Sequence, residues 1–159
     1  MLRLSCRVCI AAVAVILVTI PVTAQEADVS PVTEAMLENP GDGDWLSWRR
    51  TLDGWGYSPL EEIDTGNVGD IQLAWSWGLE AGISQTTPLV HDGVMFIANP
   101  GNVVQALDAA TGDFIWEYRY EMDERRRPAA QTRSLAIYEN LVLLNTVDAH
   151  VVGIDVRTG

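Results

Sequence analysis

The side chains in this sequence that could do chemistry are few, and spacing disposes of most of the chemistries they suggest. Cys6-x-x-Cys9 has the separation of a redox or zinc pair. No second Cys or His pair follows at ligand spacing, and Ile10 rather than His follows Cys9, which removes c-type haem attachment. His91 falls on a turn and His150 at a strand start, neither with a second His or acid at ligand spacing, so no metal is assigned to them. Gly41-Asp42-Gly43-Asp44 places carboxylates in a loop, but a calcium loop needs more oxygens and a closing Glu, so it reads as a solvated turn. Arg125-Arg126-Arg127 reads as a solvated run. Asp108-x-x-Thr111-Gly112 and Asp155-x-x-Thr158-Gly159 have an architectural logic. The Asp and Thr side chains hydrogen-bond local backbone, and the Gly supplies positive φ.

Those two turns belong to a longer repeat. Residues 104–112 superimpose without a gap on 151–159, and 91–97 on 138–144, both at an offset of 47 residues. Each unit reads as three apolar strands separated by turns and closed by the Asp turn. A period of roughly 40–50 residues built from short strands is the signature of a propeller blade. Strands are expected near 86–90, 94–98, 103–107 and 114–118 in the first unit, with a hairpin turn at His91-Asp92-Gly93. In the second they are expected near 134–138, 141–145 and 151–155, and the sequence stops before a fourth. Propellers close with typically 4–8 blades, so two blades imply a piece of something larger.

The 159 residues are globular in composition, 48% hydrophobic and 20% charged, which excludes disorder. Residues 1–24 read as a signal peptide: Arg3 and Arg7 precede an apolar run from Ile10 to Ile20, and Pro21-Val22-Thr23-Ala24 supplies a cleavage site before Gln25. Both cysteines fall inside it. The net charge is −12, or −14 once the leader's two arginines are removed, and there is no Lys. So acidic a chain argues against nucleic acid or an anionic membrane surface as partner.

Between leader and repeat, Ser30-Pro31-Val32-Thr33-Glu34 reads as a helix start with Ser30 as N-cap, the helix running to about Asn39. Residues 45–63 are irregular and aromatic, and Trp45, Trp48, Trp55 and Tyr57 are expected to pack this segment against the propeller body. Asn67–Ile71 reads as a short helical turn, and Leu73–Trp77 alternates as a strand. The chain thus divides into a lead-in (45–83), blade one (84–118) and a partial blade two (132–159).

Residues 106–116, Ala106-Leu107-Asp108-Ala109-Ala110-Thr111-Gly112-Asp113-Phe114-Ile115-Trp116, resemble the tryptophan docking motif of quinoprotein dehydrogenases, propeller enzymes that bind pyrroloquinoline quinone (PQQ). Trp55-Gly56-Tyr57-Ser58-Pro59-Leu60, Leu73-Ala74-Trp75 and Thr87-Pro88-Leu89-Val90-His91-Asp92-Gly93 are similar to the alcohol-oxidising branch, the methanol/ethanol dehydrogenase type. The resemblance covers nearly all of residues 45–159. It implies an all-β fold: the first two blades, the second incomplete, of an eight-bladed PQQ-type β-propeller, preceded by a short helix and the aromatic segment. It also implies a periplasmic enzyme with PQQ and a calcium or lanthanide ion, oxidising an alcohol to an aldehyde and passing electrons to an acceptor such as a cytochrome c. The competing reading is a non-catalytic PQQ-repeat propeller acting as a periplasmic protein-binding scaffold.

The resemblance implies two cofactor contacts. Gln85 occupies the place, three residues before Pro88, where the family commonly has Glu; its amide can donate and accept at the edge of PQQ and adds no negative charge beside a tricarboxylate. Arg133 aligns with the Arg that reaches the quinone oxygens, where its planar fork suits two adjacent acceptors. Standing 48 residues apart, the two are expected at equivalent inner ends of adjacent blades. Many members of the family carry two adjacent Cys a few residues before this Arg; Arg127 and Pro128 stand there instead, which points to a divergent subfamily. The family's metal ligands and catalytic Asp fall beyond Gly159.

Overall fold

A computed structural model describes residues 26–122 and 132–159. The leader, the Arg125–Arg127 run and the Arg127-Pro128 pair lie outside the described residues. Among these residues, apart from one five-residue helix, α1 (Glu34–Glu38), and a 3₁₀ turn at Val68–Asp70, the regular structure is all strand. Strands β1 (Leu89–His91), β2 (Val94–Asn99), β3 (Val103–Asp108) and β4 (Phe114–Arg119) form one antiparallel sheet in chain order. Strands β5 (Ala136–Tyr138), β6 (Leu141–Asn145) and β7 (Val151–Asp155) form a second. These are the two blades the repeat predicts.

The repeat extends to the backbone. Positive φ angles recur at matching positions: Asp92 and Glu139 (48° and 49°), Asn102 and Ala149 (61° and 69°), Gly112 and Gly159 (77° and 73°). At Asp92-Gly93 both residues are left-handed, the combination that lets a two-residue turn follow the twist of its strands. Between β3 and β4 the register shifts: Ala106 pairs with Trp116 and Leu107 with Phe114. Ile115 is the extra residue of a bulge, and both it and its neighbour Trp116 are buried.

That bulge sends Trp116 across to blade two. Its indole Nε1 donates to the Val156 carbonyl at 2.9 Å, and its ring covers Gly159, where a Cβ would stand only 2.8 Å from the ring. Trp75 does the same for blade one: Nε1 donates to the Ala109 carbonyl at 3.2 Å, and a Cβ on Gly112 would come within 2.6 Å of its ring. The core lies between the sheets, where Phe96, Val104 and Trp116 meet Val142, Leu144 and Ile154. An N-terminal arm straps the blades: Val32 exchanges two backbone hydrogen bonds with Glu139 (2.9 and 2.8 Å), and Trp45 two with Val90 (2.8 and 3.0 Å).

Four expectations need correction. Thr33, not Ser30, caps α1, its hydroxyl accepting from the Met36 amide, because Ser30 and Val32 are engaged by blades one and two. The aromatic segment does not pack as a whole: Trp45 is half-buried, but Trp48, Trp55 and Tyr57 are 56%, 79% and 69% exposed. Trp48 is instead stacked beneath the Arg49 guanidinium at 4.6 Å. Leu73–Trp77 joins neither sheet among the described residues; its two Trp side chains hold it, and Leu73 is 84% exposed. Finally, β1 begins at Leu89 rather than at 86 and β5 at Ala136 rather than at 134, which leaves Thr86 and Arg133 ahead of the ladders.

Candidate functional site

The Asp turns are architecture. Asp108 Oδ1 accepts from the amides of Ala110 (2.9 Å) and Thr111 (2.8 Å), and Asp155 Oδ1 from those of Arg157 (2.9 Å) and Thr158 (3.0 Å). These bonds favour the ionised carboxylate and hold both groups below the ordinary Asp value, the Thr111 amide leading for Asp108 and the Arg157 amide for Asp155. Neither acid is poised to exchange a proton near neutrality.

At the turn end of β1 a more suggestive group assembles. The His91 ring is fully buried, with Nδ1 3.3 Å from Asp44 Oδ2 and Nε2 3.3 Å from Ser30 Oγ. Ser, His and Asp in that order resemble a nucleophile relay, but the protons are committed elsewhere. The Ser30 hydroxyl donates to Asp92 Oδ2 at 2.5 Å, and so does the Ser30 amide at 2.8 Å. His91 Nε2 also lies 3.1 Å from the Ser30 carbonyl, which can only accept, so a bond there requires Nε2 to carry the proton. A protonated Nε2 cannot act as base for Ser30. The cluster clamps the N-terminal arm to blade one.

The opposite end of the blades holds the two residues singled out by resemblance. Both Gln85 and Arg133 are exposed and precede the first strand of their blade. The repeat matches Thr86 with Arg133 and Gln85 with Thr132, so the pair is one residue out of strict equivalence. A single side chain joins their neighbourhoods: the Thr86 hydroxyl lies 3.0 Å from the Ala98 carbonyl in β2 and 3.2 Å from the Thr132 carbonyl. Further ties follow outward along this end. The Val147 amide donates to Asn102 Oδ1 at 3.3 Å, and the Tyr120 hydroxyl to Asp148 Oδ2 at 3.2 Å. Burial first, then the Asp148 carboxylate, raises the Tyr120 phenol above its usual value.

A polar network secures the chain leading to Gln85. The buried Gln105 Oε1 accepts from Asn99 Nδ2 (2.6 Å) and from the Trp77 indole (2.9 Å), while its Nε2 donates to Glu117 Oε2 (2.7 Å). Arg119 then bridges Glu117 (3.0 Å) and Glu80 (2.9 Å), and these two carboxylates, Glu80 first, raise its already high value. Gln85 therefore sits on a short span between two anchors, Glu80 and Thr86. An open groove of about 460 Å³, lined by Glu80, Pro100, Arg119 and Tyr120, lies beside this network and does not include Gln85 or Arg133. Among the described residues no group of three or more His, Cys, Asp or Glu side chains could hold a metal ion.

Thr86 and Gln105 carry little signal of their own, since isolated polar residues beside apolar runs occur everywhere. Trp75 is not marked by the repeat either, because the 47-residue offset carries Trp116 back to Gly69.

Comparison with known proteins gives concordant matches. A family model described as the PQQ β-propeller domain of glucose/ethanol/alcohol dehydrogenases matches residues 45–159. The quinohemoprotein alcohol dehydrogenase ADH-IIG of Pseudomonas putida is 39% identical over 123 residues, covering 74% of this chain and 17% of that protein. Its solved structure superimposes with a TM-score of 0.74 at 36% identity, over 84% of this chain and 21% of that one. The dehydrogenase subunit of the quinone alcohol dehydrogenase of Gluconobacter oxydans is 35% identical over 145 residues, 88% of this chain and 19% of that protein. A europium-containing methanol dehydrogenase superimposes with a TM-score of 0.69 at 26% identity, over 79% of this chain and 23% of that one. The chain spans about a fifth of the length of these relatives.

Proposed function

The chain belongs to the PQQ β-propeller family of glucose/ethanol/alcohol dehydrogenases, and on that premise we propose that it is the N-terminal part of an exported, PQQ- and metal-dependent alcohol dehydrogenase. The observation that carries this reading is the juxtaposition of Gln85 and Arg133 at one end of adjacent blades, through the Thr86–Thr132 hydrogen bond. The donor set suits the cofactor. An amide that both donates and accepts, beside the planar fork of a guanidinium, matches a planar quinone bearing carboxylates. Bound there, PQQ supplies the two-electron oxidation of an alcohol to an aldehyde.

The part played by this chain is binding and orientation. Arg133 would hold the quinone oxygens through the parallel N–H donors of its guanidinium, which would fix orientation as well as charge. Gln85 would hold the ring edge without an added negative charge. Among the described residues no group of side chains forms a metal site; calcium or a lanthanide is proposed for the whole protein from the family resemblance, and the europium-containing methanol dehydrogenase neighbour is in keeping with it. Periplasmic location rests on the leader at residues 1–24, and a haem-bearing or cytochrome c acceptor on the quinohemoprotein relative.

The direct test is titration of PQQ into the full-length apo-protein and its Arg133→Ala variant. Loss of a charge-assisted hydrogen bond costs about 1.5–3 kcal/mol, so PQQ should bind at least tenfold more weakly. An unchanged Kd would remove Arg133 from the site. A wild-type protein that binds no PQQ would leave the scaffold reading in its place.

A further inference from the structure

We infer that Thr86 is a positioning residue for the cofactor contacts, the bolt that fixes Gln85 and Arg133 relative to one another; this rests on the reading that those two side chains meet PQQ. Neither contact residue is held by a strand ladder. β1 starts at Leu89 and β5 at Ala136, so the backbone at Gln85 and Arg133 lies ahead of the hydrogen bonds that make each blade rigid. A cofactor gripped from two blades needs its donors placed to within a fraction of an ångström, since small displacements sharply weaken a directed contact.

Thr86 supplies the missing constraint. Its hydroxyl sits between the Ala98 carbonyl, inside the β2 ladder, and the Thr132 carbonyl, one peptide from Arg133. One hydroxyl hydrogen serves both acceptors, so the rigid centre of blade one is tied to the start of blade two through a side chain one peptide from Gln85. Threonine suits the task because its branched Cβ restricts χ1 and holds the hydroxyl in place. The outer ties at Asn102–Val147 and Tyr120–Asp148 link the same two blades away from β1 and β5, and leave the first strands to Thr86 alone among these three ties.

The test is a double-mutant cycle on the full-length apo-protein, with PQQ as the titrated probe and Kd as the readout. Thr86→Val keeps the shape and removes the donor. It should weaken PQQ about three- to tenfold, while Thr86→Ser, which keeps the hydroxyl, should recover most of the affinity. In an Arg133→Ala background Thr86→Val should have little further effect, because positioning matters only while there is a side chain to position. Should Thr86→Val fail to fold, Thr86→Ala enters the same cycle, with circular dichroism confirming the fold of each variant. Equal losses with and without Arg133 would make Thr86 a general structural residue and overturn the inference, as would an unaltered Kd for Thr86→Val. If Arg133→Ala and Gln85→Ala both bind PQQ as the wild type does, the contact reading itself fails, and the inference fails with it.

Discussion

Ser30 and Asp92 hold the N-terminal arm through a carboxylate that ionises more readily than usual. The Ser30 hydroxyl, then its amide and the neighbouring His91, draw the Asp92 carboxyl below its ordinary value of 3.8. A depressed folded-state pKa means that the group adds stability above the unfolded value and loses it as pH falls through the folded one. The full-length Asp92→Asn variant should therefore melt below the wild type at pH 7, and the gap should narrow towards pH 3. Thermal melts across that range would check this; a gap of constant size would show that the charge has no part in the clamp. His91 teaches a related lesson. Its type and surroundings suggest catalysis, and only the Ser30 carbonyl facing Nε2 reveals the ring as a strut.

Elements in this fold are joined by tryptophans lying on glycines. Gly112 and Gly93 have nearly the same φ, 77° and 76°, but a Cβ on Gly112 would come within 2.6 Å of the Trp75 ring, whereas one on Gly93 meets nothing within 4 Å. Alanine at either position costs about 1–2 kcal/mol for the left-handed backbone, and at Gly112 overpacking adds about 1–3 kcal/mol. Denaturant titration should show Gly112→Ala to be clearly the more destabilising of the two; equal losses would refute the docking geometry. The strands themselves were legible in the sequence, because period-two alternation and the 47-residue offset report burial directly. Leu141–Asn145 and Val151–Asp155 fall where the pattern places them. The starts of β1 and β5 were not, because alternation continues upstream of the last ladder bond, and whether Thr86 pairs by backbone or by side chain depends on the neighbouring blade. Gln85 and Arg133 were legible only by resemblance: a polar side chain ahead of a strand has no periodicity to betray it. The cap of α1 is hidden for a similar reason, since Ser30 is a good N-cap by type but is taken by Asp92, 62 residues away.

At the scale of the molecule, the lead-in segment is the part least satisfied by what surrounds it. Trp75 of Leu73–Trp77 docks on the Gly112 turn, as Trp116 of β4 docks on the Gly159 turn, yet no strand pairs with this segment among the described residues. The same stretch exposes Trp55, Tyr57, Ile63, Leu73 and Ile83. Exposed apolar side chains and backbone that no sheet pairs both promote association. The relatives that the chain matches are about five times its length, and further propeller blades would offer a sheet edge for the backbone and an apolar face for the side chains. Residues 25–159 expressed alone should accordingly self-associate and bind a hydrophobic dye, and should show no PQQ-dependent alcohol oxidation above the free-cofactor blank. Two blades would supply contacts on only part of a propeller ring, and among the described residues no group of three or more His, Cys, Asp or Glu side chains could hold a metal ion. Light scattering, dye fluorescence and a dye-linked oxidation assay would test the three outcomes. A monodisperse, dye-silent monomer would show that the lead-in covers itself, and turnover by these residues would place the chemistry in this part of the protein.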